Sequence, residues 1–235
     1  MGTRMPDTYL ITGANRGIGL ELARGVLAAG DRLIAVCRQP SSAVELNALV
    51  GASPGNGRVY AADVCDEAAL GAMAGQVDGG IDVVVCNAGV MGARGGLQDA
   101  GNSADAIGRV LMTNVAGPFF TARAFLPHLR ASARPRLAII SSYMGSQQHQ
   151  GTGAHFYRAS KAAANNLMVT LSNELRPAGI IVTAFHPGWV RTDMGGAGAD
   201  LSPQQSAAAL LGQLRTLTPG QSGAFLNYDG KALPL

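Results

Sequence analysis

The chain is poor in charge, in aromatic rings, in cysteine and, above all, in lysine. Of 235 residues 14% are charged and 5% aromatic, and Lys161 and Lys231 are the only lysines among 18 basic residues. Each scarcity excludes something. The arginines are scattered and the net charge is only +3, so the basic stripe with interleaved aromatics used by nucleic-acid binders is missing. Cys37, Cys65 and Cys86 are odd in number and lack metal-ligand spacing. Neither a disulfide framework nor a metal site is expected, and buried reduced thiols in a cytoplasmic protein are. No apolar stretch reaches the ~18 residues of a membrane helix. With a first strand starting at Thr8, no cleavable leader is expected. The expected partner is a small molecule rather than nucleic acid or membrane.

What is present is apolar mass and glycine. Hydrophobic residues make up 47% of the chain, and glycine supplies 32 positions, about twice the usual ~7%. Short apolar runs, 8–12, 32–37, 58–62, 81–87, 136–141, 180–185 and 223–228, alternate with helical patterns over 17–29, 41–50, 66–77, 103–131, 154–177 and 202–217. The strand runs are nearly continuous in Val, Ile, Leu and Ala, as expected of a parallel sheet covered on both faces. The rhythm predicts an α/β fold: one domain over 1–235, a doubly wound parallel sheet of about seven strands, helices on both faces. Its nucleotide half is expected at about 1–135 and its catalytic and substrate half at about 136–235.

Ligands of such a sheet gather at the carboxyl ends of the strands, so the strand-end residues are the candidates. "TGANRGIG" runs from Thr12 to Gly19 after the first strand. Gly13, Gly17 and Gly19 allow a tight turn and close backbone approach to a pyrophosphate, at the partly positive start of a helix. Asn15, Arg16 and Ile18 share that loop. Arg38 ends the second strand, where a guanidinium favours a 2′-phosphate and hence NADP over NAD; Arg16 is expected to face the same phosphate, with no carboxylate beside either arginine. Asp63 and Val64 follow the third strand, with Asp63 either touching adenine or capping the next helix. Asn87, Ala88 and Gly89 follow the fourth, and Pro187, Gly188, Val190 and Thr192 the sixth.

Lys161 stands four residues after Tyr157, so a helix places both on one face. A tyrosine titrates near ~10 and needs a neighbouring charge to act at neutral pH. A compact ammonium with turning donors can face a phenol and also bond ribose hydroxyls, which a broad guanidinium does poorly. Lys161 is thus expected to lower the Tyr157 pKa. Ser141 and Ser142 end the fifth strand, and Asn114 sits mid-pattern in 103–131, an unfavourable place for Asn that points to a role such as holding a water beside Lys161.

"TGANRGIG", "NAG", Asn114, "SSYMGS", "YRASK" and "PGWVRT" together make the chain similar to the short-chain dehydrogenase/reductase family over essentially its whole length. "PGWVRTDMGG" and "FLNYDGKALP" resemble its C-factor-like and carbonyl-reductase-like branch. The resemblance implies a Rossmann-type fold and a catalytic Asn114, Ser142, Tyr157 and Lys161, with Ser142 preferred because the family serine is usually the second of the pair. It implies an NADPH-dependent reductase of ketones, aldehydes or quinones, or alternatively a signalling or coenzyme-sensing protein with little turnover. Met91, Met144, His149, Trp189 and Met194 are expected on the substrate wall, whereas His128 and His186 are expected to be structural. Homodimers or homotetramers are expected through Phe119, Phe120, Phe125, Leu167, Met168 and Leu171. The run after Thr192 looks too short for a helical lid.

Overall fold

The computed structural model describes residues 5–235; the stretch where a leader would begin lies partly outside them. Seven parallel strands form one sheet: β1 (Thr8–Thr12), β2 (Arg32–Cys37), β3 (Gly57–Ala61), β4 (Val83–Cys86), β5 (Arg136–Ile140), β6 (Ile181–His186) and β7 (Phe225–Asn227). Their spatial order is β3-β2-β1-β4-β5-β6-β7. The register runs Thr8↔Arg32 from β1 to β2 and Tyr9↔Val83 from β1 to β4. The chain winds outward in one direction from β1 and in the other from β4. The crevice between their carboxyl ends is therefore the switch point where such sheets bind ligands.

Alternation along each strand divides the core in two. Tyr9, Ile11, Leu33, Ala35, Val85 and Ile140 face α1 (Gly17–Ala28), α2 (Val44–Gly51) and α7 (Pro203–Thr216). Leu10, Ile34, Val84, Leu137, Ile139 and Val182 face the other way, against α3 (Glu67–Ala74), α5 (Gly117–Arg130) and α6 (His155–Leu175). This explains the unbroken apolar runs: both faces of every central strand are buried, each large side chain contributing ~1.5–3 kcal/mol. Phe125, Met168 and Leu171 belong to this core, at 0%, 0% and 6% exposure. They are therefore removed from the expected self-association face; Phe119, Leu111 and Met112 are the more exposed apolar residues there.

The expected single helix over 103–131 is instead two helices joined by a wide turn. α4 (Ala104–Leu111) leads into a π-helical turn, Met112–Ala116, before α5. The Gly117 amide reaches back to the Met112 carbonyl, five residues away. Pro118 supplies the reason. It has no N–H for the carbonyl of Asn114, and its ring crowds that carbonyl in a regular α-turn. The ladder widens by one residue, a feature often found at functional sites, and carries Asn114 inward to 1% exposure.

Candidate active site

Every strand-end candidate lies along the carboxyl edge of the sheet. At the β1 turn, Gly13 and Gly17 have φ of +66° and +55°, the left-handed region that favours glycine. A Cβ on Gly19 would lie 2.2 Å from the Gly13 carbonyl oxygen, so only glycine lets the helix start lie against the turn. Asn87 fastens that turn: its Nδ2 donates to the carbonyls of Thr12 (2.9 Å) and Gly13 (3.2 Å). Thr12 Oγ1 accepts from the amides of Asn87 and Ala88. A glycine-lined turn at the head of α1, fastened by Asn87, fits the pyrophosphate of a dinucleotide.

Two expectations about this end are corrected. Arg16 is not free of carboxylates, since its Nη1 lies 2.7 Å from Asp193 Oδ2, in the segment after β6. The pair is exposed and bridges the two walls of the crevice. Asp63 does not cap the following helix: its Oδ1 accepts from the Cys65 amide, and Asp66 caps α3 through Ala69. Arg38 stands at the end of β2 and makes no ion pair among the described residues.

A cavity of about 560 Å³ adjoins the crevice. Ser142 and Tyr157 both line it, with the Ser142 hydroxyl near enough to the phenol to favour its ionised form. Ser141 turns away and donates to the Lys161 carbonyl, 3.3 Å. The structure thus brings Ser142 rather than Ser141 to the phenol. Gly145 makes this possible, because a Cβ there would lie 2.7 Å from the Lys161 carbonyl carbon.

Lys161 is 5% exposed; its Nζ donates to the Ile140 carbonyl, 2.8 Å, and lies 5.6 Å from the Tyr157 ring centroid. Burial pushes its pKa down from 10.5 to about 8. The Tyr157 phenol is pushed above its ordinary value by burial, opposed by the Ser142 hydrogen bond and the Arg94 guanidinium. The expected drop driven by Lys161 is therefore corrected. A short sequence spacing sets a shared helix face, but not the desolvation that dominates here.

Asn114 is tied on both sides. Its Oδ1 accepts from the Val90 amide (2.9 Å), and its Nδ2 donates to the Val90 carbonyl (2.8 Å) and Ser160 Oγ (2.9 Å). Only a second lone pair on Oδ1 remains for a water.

Met91, Met144, His149, Trp189 and Met194 all line the cavity. So do residues that the sequence did not reveal: Arg94, Tyr143, Arg158 and His186. His186, expected to be structural, ends β6 in the cavity wall, where burial pushes its pKa down to about 4. Tyr143 stacks on His149 at 5.0 Å. Arg94 lies in an irregular loop with no periodicity to place it. No helix spans 187–201. The segment is tied down instead, with Trp189 Nε1 donating to the Gly195 carbonyl and Arg191 to those of Ala199 and Asp200. A second cavity of about 330 Å³, lined by Asp7, Ala29, Arg134 and Arg215, sits at the opposite edge of the sheet. Its groups join a structural ion-pair network, Arg134 and Arg136 with Asp7 and Arg215 with Asp31.

Among the described residues no helix is long and apolar enough to cross a membrane, and no cluster of His, Cys, Asp or Glu could hold a metal ion. Residues 7–200 match the family model for short chain dehydrogenase. C-signal of Myxococcus xanthus is 38% identical over 178 residues, covering 75% of this chain and 99% of that protein. Carbonyl reductase Sniffer of D. melanogaster superposes with a TM-score of 0.93 at 31% identity, covering 98% of this chain and all of that one. The NADPH-bound carbonyl reductase from chicken fatty liver superposes with 0.91 at 35% identity, covering 99% and 100%. With the switch-point crevice, the glycine cradle and the order of motifs, these matches show that the chain belongs to the short-chain dehydrogenase/reductase family of nicotinamide-dependent oxidoreductases, in its C-factor-like and carbonyl-reductase-like branch.

Proposed function

We propose that the protein is an NADPH-dependent reductase that converts a ketone, aldehyde or quinone to the alcohol. The observation that carries this reading is the gathering of Ser142 and Tyr157 in one cavity wall, with the buried Lys161 Nζ 5.6 Å from the Tyr157 ring centroid. In it the first half of the chain, about 1–135, holds most of the coenzyme. Gly13, Asn15, Gly17, Ile18 and Gly19 cradle the pyrophosphate. Arg38 meets a 2′-phosphate, and Arg16 shares that task only after parting from Asp193. Asp63 and Val64 flank the adenine, Asn87, Ala88 and Gly89 the ribose side, and Pro187, Gly188, Val190 and Thr192 the carboxamide. When bound, the reduced nicotinamide supplies the hydride and its two electrons to the carbonyl carbon.

The chain's own groups do the rest. Ser142 and Tyr157 donate hydrogen bonds to the carbonyl oxygen. Tyr157 gives it the proton as the C–O bond becomes an alcohol. A phenol held above its ordinary pKa by burial stays protonated at neutral pH, as a proton donor must. Lys161 returns a proton to the phenolate, and a pKa near 8 makes it a better donor than an ordinary lysine. Asn114 positions Val90 and Ser160 beside Lys161 and offers one acceptor site to a relaying water. Self-association through the Leu111, Met112 and Phe119 face belongs to the same reading.

The likeness to C-signal favours a second reading, a signalling or coenzyme-sensing protein with little turnover. Oxidation of NADPH, followed by absorbance against a panel of aldehydes, ketones and quinones, separates the two. Turnover that vanishes in Tyr157→Phe supports the reductase. Tight NADPH binding with no turnover on any of them supports the sensor.

A further inference from the structure

The cavity beside Tyr157 is one-sided in charge. Arg94 and Arg158 line it, and no aspartate or glutamate does. The carboxylate adjacent in sequence, Asp193, is committed to Arg16. Neither Arg94 nor Arg158 forms an ion pair among the described residues. Each donates to a backbone carbonyl instead, Arg94 to that of Met194 and Arg158 to that of His149. A guanidinium has five N–H donors, so both retain donors after these contacts.

Arg94 is also held in place. Its own carbonyl accepts from the Ala154 amide at the head of α6, 3.1 Å. Ala154 adopts a left-handed φ of +53° there, a conformation that costs a non-glycine residue ~1–2 kcal/mol. The loop after β4, the head of α6 and the segment after β6 thus meet at Arg94. Its charge reaches the Tyr157 hydroxyl, so the guanidinium and the proposed proton donor serve one cavity. The same cavity wall includes Met91, Met144 and Trp189.

We infer that Arg94, with Arg158 lining the same cavity, makes this cavity a recognition site for carbonyl compounds that also carry a carboxylate. The carboxylate lies at Arg94, the carbonyl at Tyr157, and an apolar chain between them lies along the Met and Trp side chains. Placement of the carbonyl rests on the reductase reading; recognition of the carboxylate does not. A planar fork suits a carboxylate bidentately. An exposed arginine keeps part of such a bond's worth after solvent screening, and about tenfold in affinity is expected.

The test uses the full chain saturated with NADP⁺, so that bound probe is not turned over. 7-Oxooctanoate and its methyl ester share carbonyl, chain and shape and differ in charge. Trp189 is the one tryptophan of the chain and lines the cavity, so its fluorescence reports binding without turnover. The acid should bind about tenfold more tightly than the ester at low ionic strength, and the ratio should shrink toward one at ~0.5 M salt. Arg94→Ala should bring the ratio close to one, Arg94→Glu should invert it, and Arg94→Lys should retain several-fold. The ester's own affinity in each variant reports whether the cavity is intact. Equal binding of acid and ester by the wild type overturns the inference, as does a ratio that survives Arg94→Ala and Arg158→Ala together. A parallel assay with NADPH separates the two proposals. If the acid binds preferentially but neither probe is reduced, the reductase reading loses support and the carboxylate site stands.

Discussion

Replacing Lys161 by methionine should make the protein more stable and inactive. Lys161 Nζ is buried, and its one hydrogen bond among the described residues goes to the Ile140 carbonyl at 2.8 Å. The fall from 10.5 to about 8 corresponds to about 3 kcal/mol of differential stabilisation. The folded pKa lies below the unfolded one, so between pH 8 and 10.5 the unfolded chain binds more protons and stability rises with pH. Below pH 8 the full cost of burying the ammonium is present. Methionine fills the space with an apolar chain of similar length and carries no such cost. Loss of the charge-assisted bond to Ile140 offsets ~1.5 kcal/mol of the gain. A net gain of about 1–2 kcal/mol remains at pH 7, or roughly 5 °C in Tm for a chain of this size. At pH 9.5 the wild type has recovered about 2 kcal/mol of its penalty, so the two melting temperatures should nearly coincide. Thermal unfolding by circular dichroism at both pH values measures this. A Lys161→Met variant less stable than wild type at pH 7, or a difference that ignores pH, would refute the reasoning.

Other outcomes follow from the same geometry. Tyr157→Phe should lower kcat by ~10²–10⁴ while NADPH affinity, read by fluorescence, changes little. Arg38→Asp should abolish a preference for NADPH over NADH of about tenfold or more, one charge-assisted bond being worth ~1.5–3 kcal/mol. Asp193→Ala frees Arg16 and should raise NADPH affinity more than NADH affinity in the same titration. Gly145→Ala puts a Cβ 2.7 Å from the Lys161 backbone; strain of ~1–3 kcal/mol should lower the Tm and displace Ser142, reducing kcat with it. Because burial keeps Tyr157 protonated, reduction should be fastest at neutral pH and below and fall as the phenol ionises. Alcohol oxidation should instead rise with pH, and rate profiles in both directions check this.

Sequence by itself determined the sheet and its edge. Apolar runs without alternation can be satisfied only where both faces of a strand are covered, and the βαβ rhythm then forces parallel, right-handed connections. Once the strands were placed, their carboxyl ends named Gly13, Arg38, Asn87, Ser142 and Thr192, because such a ligand edge is a property of topology. A four-residue helical spacing sufficed to align Tyr157 with Lys161. Even the break at Asn114 had its cause in view, in the proline four residues on.

Tertiary structure decided what depends on neighbours remote in sequence. Arg16 meets Asp193 177 residues away, which no local pattern encodes. Phe125, Met168 and Leu171 were apolar in either case, and only packing put them in the core rather than on a surface. Desolvation of Tyr157 and Lys161 arises from everything folded around them, and it reversed the expected direction of the Tyr157 shift. Arg94 sits in an irregular loop whose path is set by contacts with α6 and the segment after β6. Its position in the cavity wall exists only once three distant stretches of chain come together.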